Sequence, residues 1–488
     1  MVAVRVDLVP LFDALDANND AGIVTEIAHT LSEDIAAGML AGRLAIPAAL
    51  GDRAALAVPV LIAAGRLGDW IRVIPPGPEP GADQRRKLVP TIPLTSAALF
   101  AAAAIRAGLP QTTMSLPEPL FPKDITHGEG AWGALRDAVM TGDVVLAGRI
   151  LMGFYGSGTD YREMEGAIYY AVCGKFSGDG LPLLMTLAAT QALDFVDWGD
   201  RAPVLFYWLL PLLMQSTAEP EGTKAVRDYL AKPEHDLDFV RKRLAMQNKD
   251  AAGKTLRDAL AKGTTAQVLE EVFQALQRGA NGTLVGAQIA VAAAEHLAGI
   301  PLDDAPNLQA AQIALRVANA ARIATGQVQD IRILPLVFHA ANLVNQTVRA
   351  AGEKRVAPAT NGNDASLAGG LIEYSVLRNL ERQLANRDEV GVRATVRRYA
   401  QLAFPTRSLV GTFGQLASRV AISADGNGRG MLVTQAAGET YLALTPAQQA
   451  GEGVALLDAM AHIIVAQPAD QSLAQRVETT LGIGREAS

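Results

Sequence analysis

The chain has 488 residues, half of them hydrophobic, 19% charged and 5% aromatic, with a formal net charge of −7. That length exceeds what one hydrophobic core usually serves, so several domains or a repeat array are expected, and the composition is that of a globular protein. The acidic balance argues against a nucleic-acid partner, and a single cysteine, Cys173, excludes an internal disulfide, a thiolate zinc site and an iron–sulfur cluster.

From the beginning of the chain, MVAVRVDLVP holds too short an apolar stretch, broken by Arg5 and Asp7, to read as a signal peptide. With the lone thiol, this makes a cytoplasmic location the expectation. Residues 11–27, LFDALDANNDAGIVTEI, space apolar residues three and four apart on both sides of the turn Asn18–Asn19–Asp20, which predicts a helical hairpin. The same pattern returns at 135–151 around Thr141–Gly142–Asp143, at 256–272 around Lys262–Gly263–Thr264, and at 380–396 around Asn386–Arg387–Asp388. The four starts, Leu11, Leu135, Leu256 and Leu380, lie 124, 121 and 124 residues apart. Gly and Asn tolerate the left-handed conformation that ends a helix, and Asp or Thr caps the next one.

Four diverged copies of a unit of about 122 residues therefore account for the chain, divided at 1–124, 125–218, 219–360 and 361–488. Each unit ends on a helix expected to start near Ile92–Pro93–Leu94, Leu210–Pro211–Leu212, Leu334–Pro335–Leu336 or Leu457–Asp458–Ala459, since Pro and Asp suit a first turn. With one or two middle helices, each unit has about five. Pro-rich or polar stretches at 74–94, which include Arg85–Arg86–Lys87, and at 115–123, 216–224 and 353–366 read as exposed loops. The uncharged run from Ala202 to Ala218 contains a proline and is too short to span a bilayer, so a buried helix is expected. Only residues 420–434 leave room for a strand. The fold class is all-α, as an array or as pseudo-symmetric pairs of units.

Candidate chemistry is sparse. His339 and His462 each fall four residues after the marker of a final helix, 123 residues apart, so they occupy equivalent positions in the third and fourth units. Ala97 and Gln215 stand there in the first and second. A neutral imidazole can act as general base or ligand, and the pair is the candidate catalytic site; the alternative is that each satisfies a buried carbonyl. Asp16, Asn18 and Asp20 match the first ligands of a calcium loop, but Ala21 and Ile27 stand where Gly and Glu are needed, which leaves a helix cap. Glu26 and His29 match one half of a di-iron Glu-x-x-His pair with no second copy. Tyr169, Tyr170, Cys173, Asp194, Asp197 and Trp198 enrich the second unit in polar and aromatic groups. The glycine runs 153–158 and 426–430 lack the context of a phosphate cradle and read as loops.

The stretches EGAIYYAVCGKFSGDGLPLLMTLAATQALDF (165–195), LRDALAKGTTAQVLEEVFQALQRG (256–279) and AAQIALRVANAA (310–321) resemble the questin oxidase-like family and the helical regions associated with bacterial Rieske domains, without a Rieske motif. The resemblance implies an oxygen-dependent oxidoreductase acting on an aromatic or polyketide substrate. Members of the family carry a histidine before the middle helix, where this chain has Gly180–Leu181–Pro182, so no family residue is carried over. The expected function is that of a small-molecule enzyme or binder with an apolar pocket between units, taking a small apolar or aromatic ligand. No cofactor, oligomeric state or membrane span is assigned. The alternative is a non-catalytic helical scaffold for a protein partner.

Overall fold

The computed structural model describes residues 7–483 apart from 52, 79–80, 111–115, 159–160, 197–203, 215–218, 244–251, 353–370 and 469. Every regular element among them is helical. The first quarter holds α1 (Val9–Asp16), α2 (Asp20–Ser32), α3 (Ala37–Leu50), α4 (Ala54–Ile71), a short α5 (Ala82–Leu88) and α6 (Thr91–Gly108). The second holds α7 (Gly130–Thr141), α8 (Val144–Gly156), α9 (Tyr161–Gly174), α10 (Leu181–Phe195) and α11 (Val204–Leu213). The third opens with α12 (Glu221–Leu230) and continues through α13 (Lys254–Lys262), α14 (Thr265–Gln277), α15 (Gly282–Leu297), α16 (Ala305–Gln327) and α17 (Pro335–Ala351). The fourth comprises α18 (Glu373–Ala385), α19 (Glu389–Gln401), α20 (Thr406–Ala417), α21 (Arg429–Ala443), α22 (Pro446–Ala450), α23 (Val454–Ala466) and α24 (Ser472–Leu481).

A hairpin, two middle helices and a final helix thus occur in each quarter. The hairpin turns close as their residues dictate. Asn18, Gly142 and Arg387 take positive φ, and the next helix is capped by Asn19 on Gly22 N–H, Asp143 on Leu146 N–H and Asp388 on Gly391 N–H. In the third quarter Gly263 stays extended and Thr264 forms a reciprocal capping box with Gln267.

Several local expectations need correction. Residues 82–88 form a short helix inside the Pro-rich stretch, carrying Arg85–Arg86–Lys87 on its last turn. Residue 429 onwards is helical, so no strand forms in 420–434. Pro335 opens α17, but Pro211 lies near the end of α11 and Asp458 lies one turn inside α23, where it pairs with Arg393 at 3.4 Å instead of capping. Residues 153–156 of the first glycine run belong to α8. The expected helix within Ala202–Ala218 is α11; its outer residues, 202–203 and 215–218, lie outside the described residues.

The second middle helices form the centre. α4 packs on α10, α10 on α16, α16 on α21, and α21 returns to α4, closing a ring. The first middle helices and final helices surround it, with α3 on α10, α20 on α4 and α15 on α23 joining neighbouring quarters. Alanine makes this closeness possible: α15 and α16 approach so tightly that a Cβ on Gly286 would lie 2.7 Å from the Arg322 Cα. The stretches 54–71 and 82–108 are long enough to cross a membrane and each holds an apolar run of 18 residues, but 78% and 72% of those runs are buried, as in core helices.

Candidate functional site at the centre of the helix ring

An Ala-rich helix with one polar stripe must turn that stripe towards partners or solvent. In α16 the stripe is Gln312, Arg316 and Asn319, spaced four and three apart and so stacked on one face. It meets Gln191 from α10, Gln435 and Glu439 from α21, and Arg66 from α4. Glu439 is the hub. Its Oε1 accepts from Arg66 Nε at 3.2 Å, Gln191 Nε2 at 3.0 Å and Gln435 Nε2 at 3.2 Å, and its Oε2 accepts from Asn319 Nδ2 at 2.8 Å. Gln435 Nε2 also donates to Gln191 Oε1 at 3.0 Å. Asn319 Oδ1 in turn accepts from Arg322 Nη2 at 2.9 Å and Thr440 Oγ1 at 3.0 Å. Each of the four ring helices supplies at least one partner, which is what a carboxylate withdrawn from water requires.

Above this network lies a cavity of about 200 Å³ between α4, α10, α16 and the loop that enters α21. Leu56, Pro59, Leu184, Met185, Ile313 and Leu432 form its apolar wall, and Asp179, Gln309, Gln312, Arg316, Asn427 and Arg429 its polar lining. It narrows into a space of about 30 Å³ that shares Pro59, Leu184, Arg316 and Leu432 and ends on Gln191, Asn319 and Gln435. Arg316 therefore stands between the cavity and the hub. Burial alone lowers its pKa to about 10, with no carboxylate offsetting the loss of water. Arg322 is lowered to about 10 as well, but there Glu439 opposes the effect of burial.

The cavity's rim is built by a backbone that few sequences allow. Gly426, Asn427 and Gly428 take φ of +54°, +67° and +79° in succession. Asp425 holds the turn by accepting from Gly430 N–H at 2.7 Å and Gln467 Nε2 at 2.9 Å. A Cβ at Gly426 would lie 2.3 Å from Arg429 Nε, so glycine lets that guanidinium rest on the main chain. The Arg429 Nε is buried and makes no hydrogen bond to the described residues.

A larger groove, about 1150 Å³, runs between α18, α20, α23 and α24. Its arginines are already engaged: Arg378 with Glu381 at 3.4 Å, Arg419 with Glu478 at 2.7 Å, and Arg387 with the Gln467 carbonyl at 3.1 Å. It has the character of a solvated ion-pair surface.

His339 and His462 occupy separate interfaces, and neither lines the central cavity. The His339 ring stacks on Phe176 with centroids 4.5 Å apart, and the Cys173 carbonyl is its hydrogen-bond partner. Burial lowers its pKa to about 4, with the carbonyl opposing. His462 Nε2 lies 2.8 Å from the Ile300 carbonyl and Nδ1 3.3 Å from Glu389 Oε1. Cys173 is in the last turn of α9 and Ile300 in the turn that follows α15, each the first middle helix of the preceding quarter, so the equivalence of the two positions is a shared carbonyl-binding role. Ala97 is buried in α6, and Gln215 lies outside the described residues.

The polar residues of the second quarter form their own cluster. Glu165 is fully buried, pairs with Arg162 at 2.6 Å, and is pushed up to about 7, chiefly by desolvation. Asp194 accepts from Arg162 Nη2 at 3.0 Å and from the Tyr161 hydroxyl. Tyr169 lies 3.4 Å from Thr190 Oγ1, Tyr170 bonds Glu129 at 2.6 Å, and burial pushes the Cys173 thiol up. Asp197 and Trp198 lie outside the described residues. At the first hairpin, Asn18 Oδ1 accepts from Arg106 at 2.9 Å and Asp20 pairs with Arg476 at 3.3 Å, while exposed His29 lies 3.6 Å from Glu33. No group of three or more His, Cys, Asp or Glu side chains suited to a metal occurs among the described residues.

Arg316, Asn319, Gln191, Gln435, Glu439 and Arg429 carry no motif. The one signal available was the polar stripe in α16, which interrupts a run otherwise rich in Ala and Leu. No protein-family model, curated protein or solved structure matches the chain.

Proposed function

We propose that the protein binds a small molecule in the cavity enclosed by the four ring helices, with the ligand's apolar body against Pro59, Leu184 and Leu432 and its polar group against Arg316. The observation that carries this reading is the convergence there of an apolar wall and an uncompensated guanidinium, the combination of a mostly apolar pocket with few orienting polar groups that ligand sites use. An oxidoreductase of the kind implied by the resemblance would take its aromatic substrate in this same cavity. A cytoplasmic setting suits the single cysteine.

Native mass spectrometry of freshly purified protein, with elemental analysis, tests the reading. The expected result is a small molecule that co-purifies with the wild-type chain and is lost from Leu432→Trp, whose indole fills the cavity while the circular dichroism spectrum is kept. An apo mass, with no binding from a metabolite panel, would overturn it. The second reading, a non-catalytic scaffold for a protein partner, draws on an apolar groove of about 480 Å³ lined by Val24, Leu99, Leu473 and Val477.

A further inference from the structure

Four charged side chains meet at and beneath the cavity floor: Arg66, Arg316 and Arg322 against the single carboxylate of Glu439. Glu439 is saturated, since four nitrogen donors already share its two oxygens. Arg322 is forked onto Asn319 Oδ1. Arg66 reaches Glu439 and lies over the Phe195 ring at 4.7 Å. Arg316 remains, with no carboxylate among the described residues to pair with.

A guanidinium cannot shed its proton at physiological pH, so it must be matched or stay as a cost to the fold. Arg429 adds a second cation on the same wall, its Nε facing no protein acceptor. The rest of the lining is the apolar wall with Gln309, Gln312, Asn427 and Asp179, whose Oδ1 already accepts from Ser177 Oγ and Leu181 N–H.

We infer that the ligand is a small organic monocarboxylate with a flat or branched apolar body, whose carboxylate is taken by the Arg316 fork with Arg429 as second donor. This rests on the cavity reading above and narrows it. A carboxylate matches the paired N–H groups of a guanidinium in a plane, which favours it over a spherical anion. About 200 Å³ suits a single-ring acid.

The probes are benzoate and phenylacetate, each against its neutral amide, benzamide and phenylacetamide, with inorganic phosphate as a third probe. Binding to the full chain is measured by calorimetry and by thermal shift. The carboxylates are expected to bind about tenfold or more tighter than the amides, the difference a charged hydrogen-bonded pair makes over a neutral one. Arg316→Gln is expected to bring that ratio close to one, and without ligand to melt no lower than wild type, because it removes an unmatched, half-buried charge. A structural arginine would instead lower the melting temperature on substitution.

Equal affinity for acids and amides, retention of the preference in Arg316→Gln, tighter binding of phosphate, or no binding of any probe each overturns the monocarboxylate inference. Binding of acids and amides alike that Leu432→Trp abolishes would leave the cavity reading standing. Probe binding untouched by Leu432→Trp would sink both.

Discussion

Glu439→Gln is the sharpest test of how the ring is held. The substitution keeps the shape and one carbonyl oxygen. The other oxygen becomes an amide nitrogen, which cannot accept from Asn319 Nδ2, now 2.8 Å away, and so sets donor against donor. Hydrogen bonds to charged groups contribute roughly 1.5–3 kcal/mol each, and a buried donor without a partner costs a further ~1 kcal/mol or more. Arg66 is about one-third exposed, so its lost ion pair adds under about 1 kcal/mol. Partial rearrangement of Gln191 and Gln435 recovers some of this, giving a net loss of roughly 2–4 kcal/mol. Urea unfolding monitored by circular dichroism supplies the midpoint shift, with the slope checked for constancy. Hydrogen exchange should show the amides of α4, α10, α16 and α21 opening together. A loss below about 0.5 kcal/mol, or faster exchange confined to α21, would refute the idea that one carboxylate ties four helices.

Four further outcomes are expected. His339 titrates near 4 in the folded protein against an ordinary value of 6.5, so below pH 6.5 the unfolded chain takes up the proton first; stability is full above about 6.5 and is lost as pH falls towards 4, by on the order of 3 kcal/mol. His339→Phe should flatten that limb in urea midpoints taken at pH 4.5 and 7.5. Glu165 runs the other way: raised from 4.5 to about 7, it contributes stability that is complete below about 4.5 and lost as pH rises through 7. Glu165→Gln should remove the decline between pH 5 and 8, Arg162 keeping Asp194 as partner, and an unchanged slope would refute the assignment. His462→Ala strands the Ile300 carbonyl and should cost about 1–3 kcal/mol by urea midpoint, without altering probe binding in the cavity. Thr264→Ala removes the capping box of α14 and should cost about 1 kcal/mol, with hydrogen exchange faster in the first turn of that helix only.

The hairpins were the most legible part of the chain because each combines apolar spacing with a turn residue whose conformation and capping chemistry are local. Asp143, Thr264 and Asp388 cap where their sequence neighbourhood says they should, while in the first hairpin Asn19 caps in place of Asp20. The starts of the final helices were less legible. Pro211 and Asp458 sit inside helices set by packing, and Asp458 finds Arg393 in place of a backbone amide. The ring itself left almost no local trace. Arg66 and Glu439 are 373 residues apart and Gln191 and Glu439 are 248 apart, so no window of sequence contains the pair. The equivalent spacing of His339 and His462 from the final-helix markers is legible in the sequence, but it reflects repeated carbonyl contacts. Arg316 gives no local signal, because an arginine in an Ala-rich helix normally faces water, and only the tertiary structure turns it into the cavity.

Closure of the ring has a consequence for how the chain acquires its structure. α4 is made early during synthesis, yet two of its faces are covered by α20 and α21. Until those helices emerge, the apolar residues of α4 that meet them lack their native cover, so the first quarter is a natural client for a chaperone, and completing the ring has to wait for contacts of high sequence separation. The same geometry makes the join between quarters interchangeable in principle. A permuted chain that begins near Glu373, with its old ends linked, would build the same ring in a different order of emergence, and its refolding rate against that of the wild type would report which closure step is slowest.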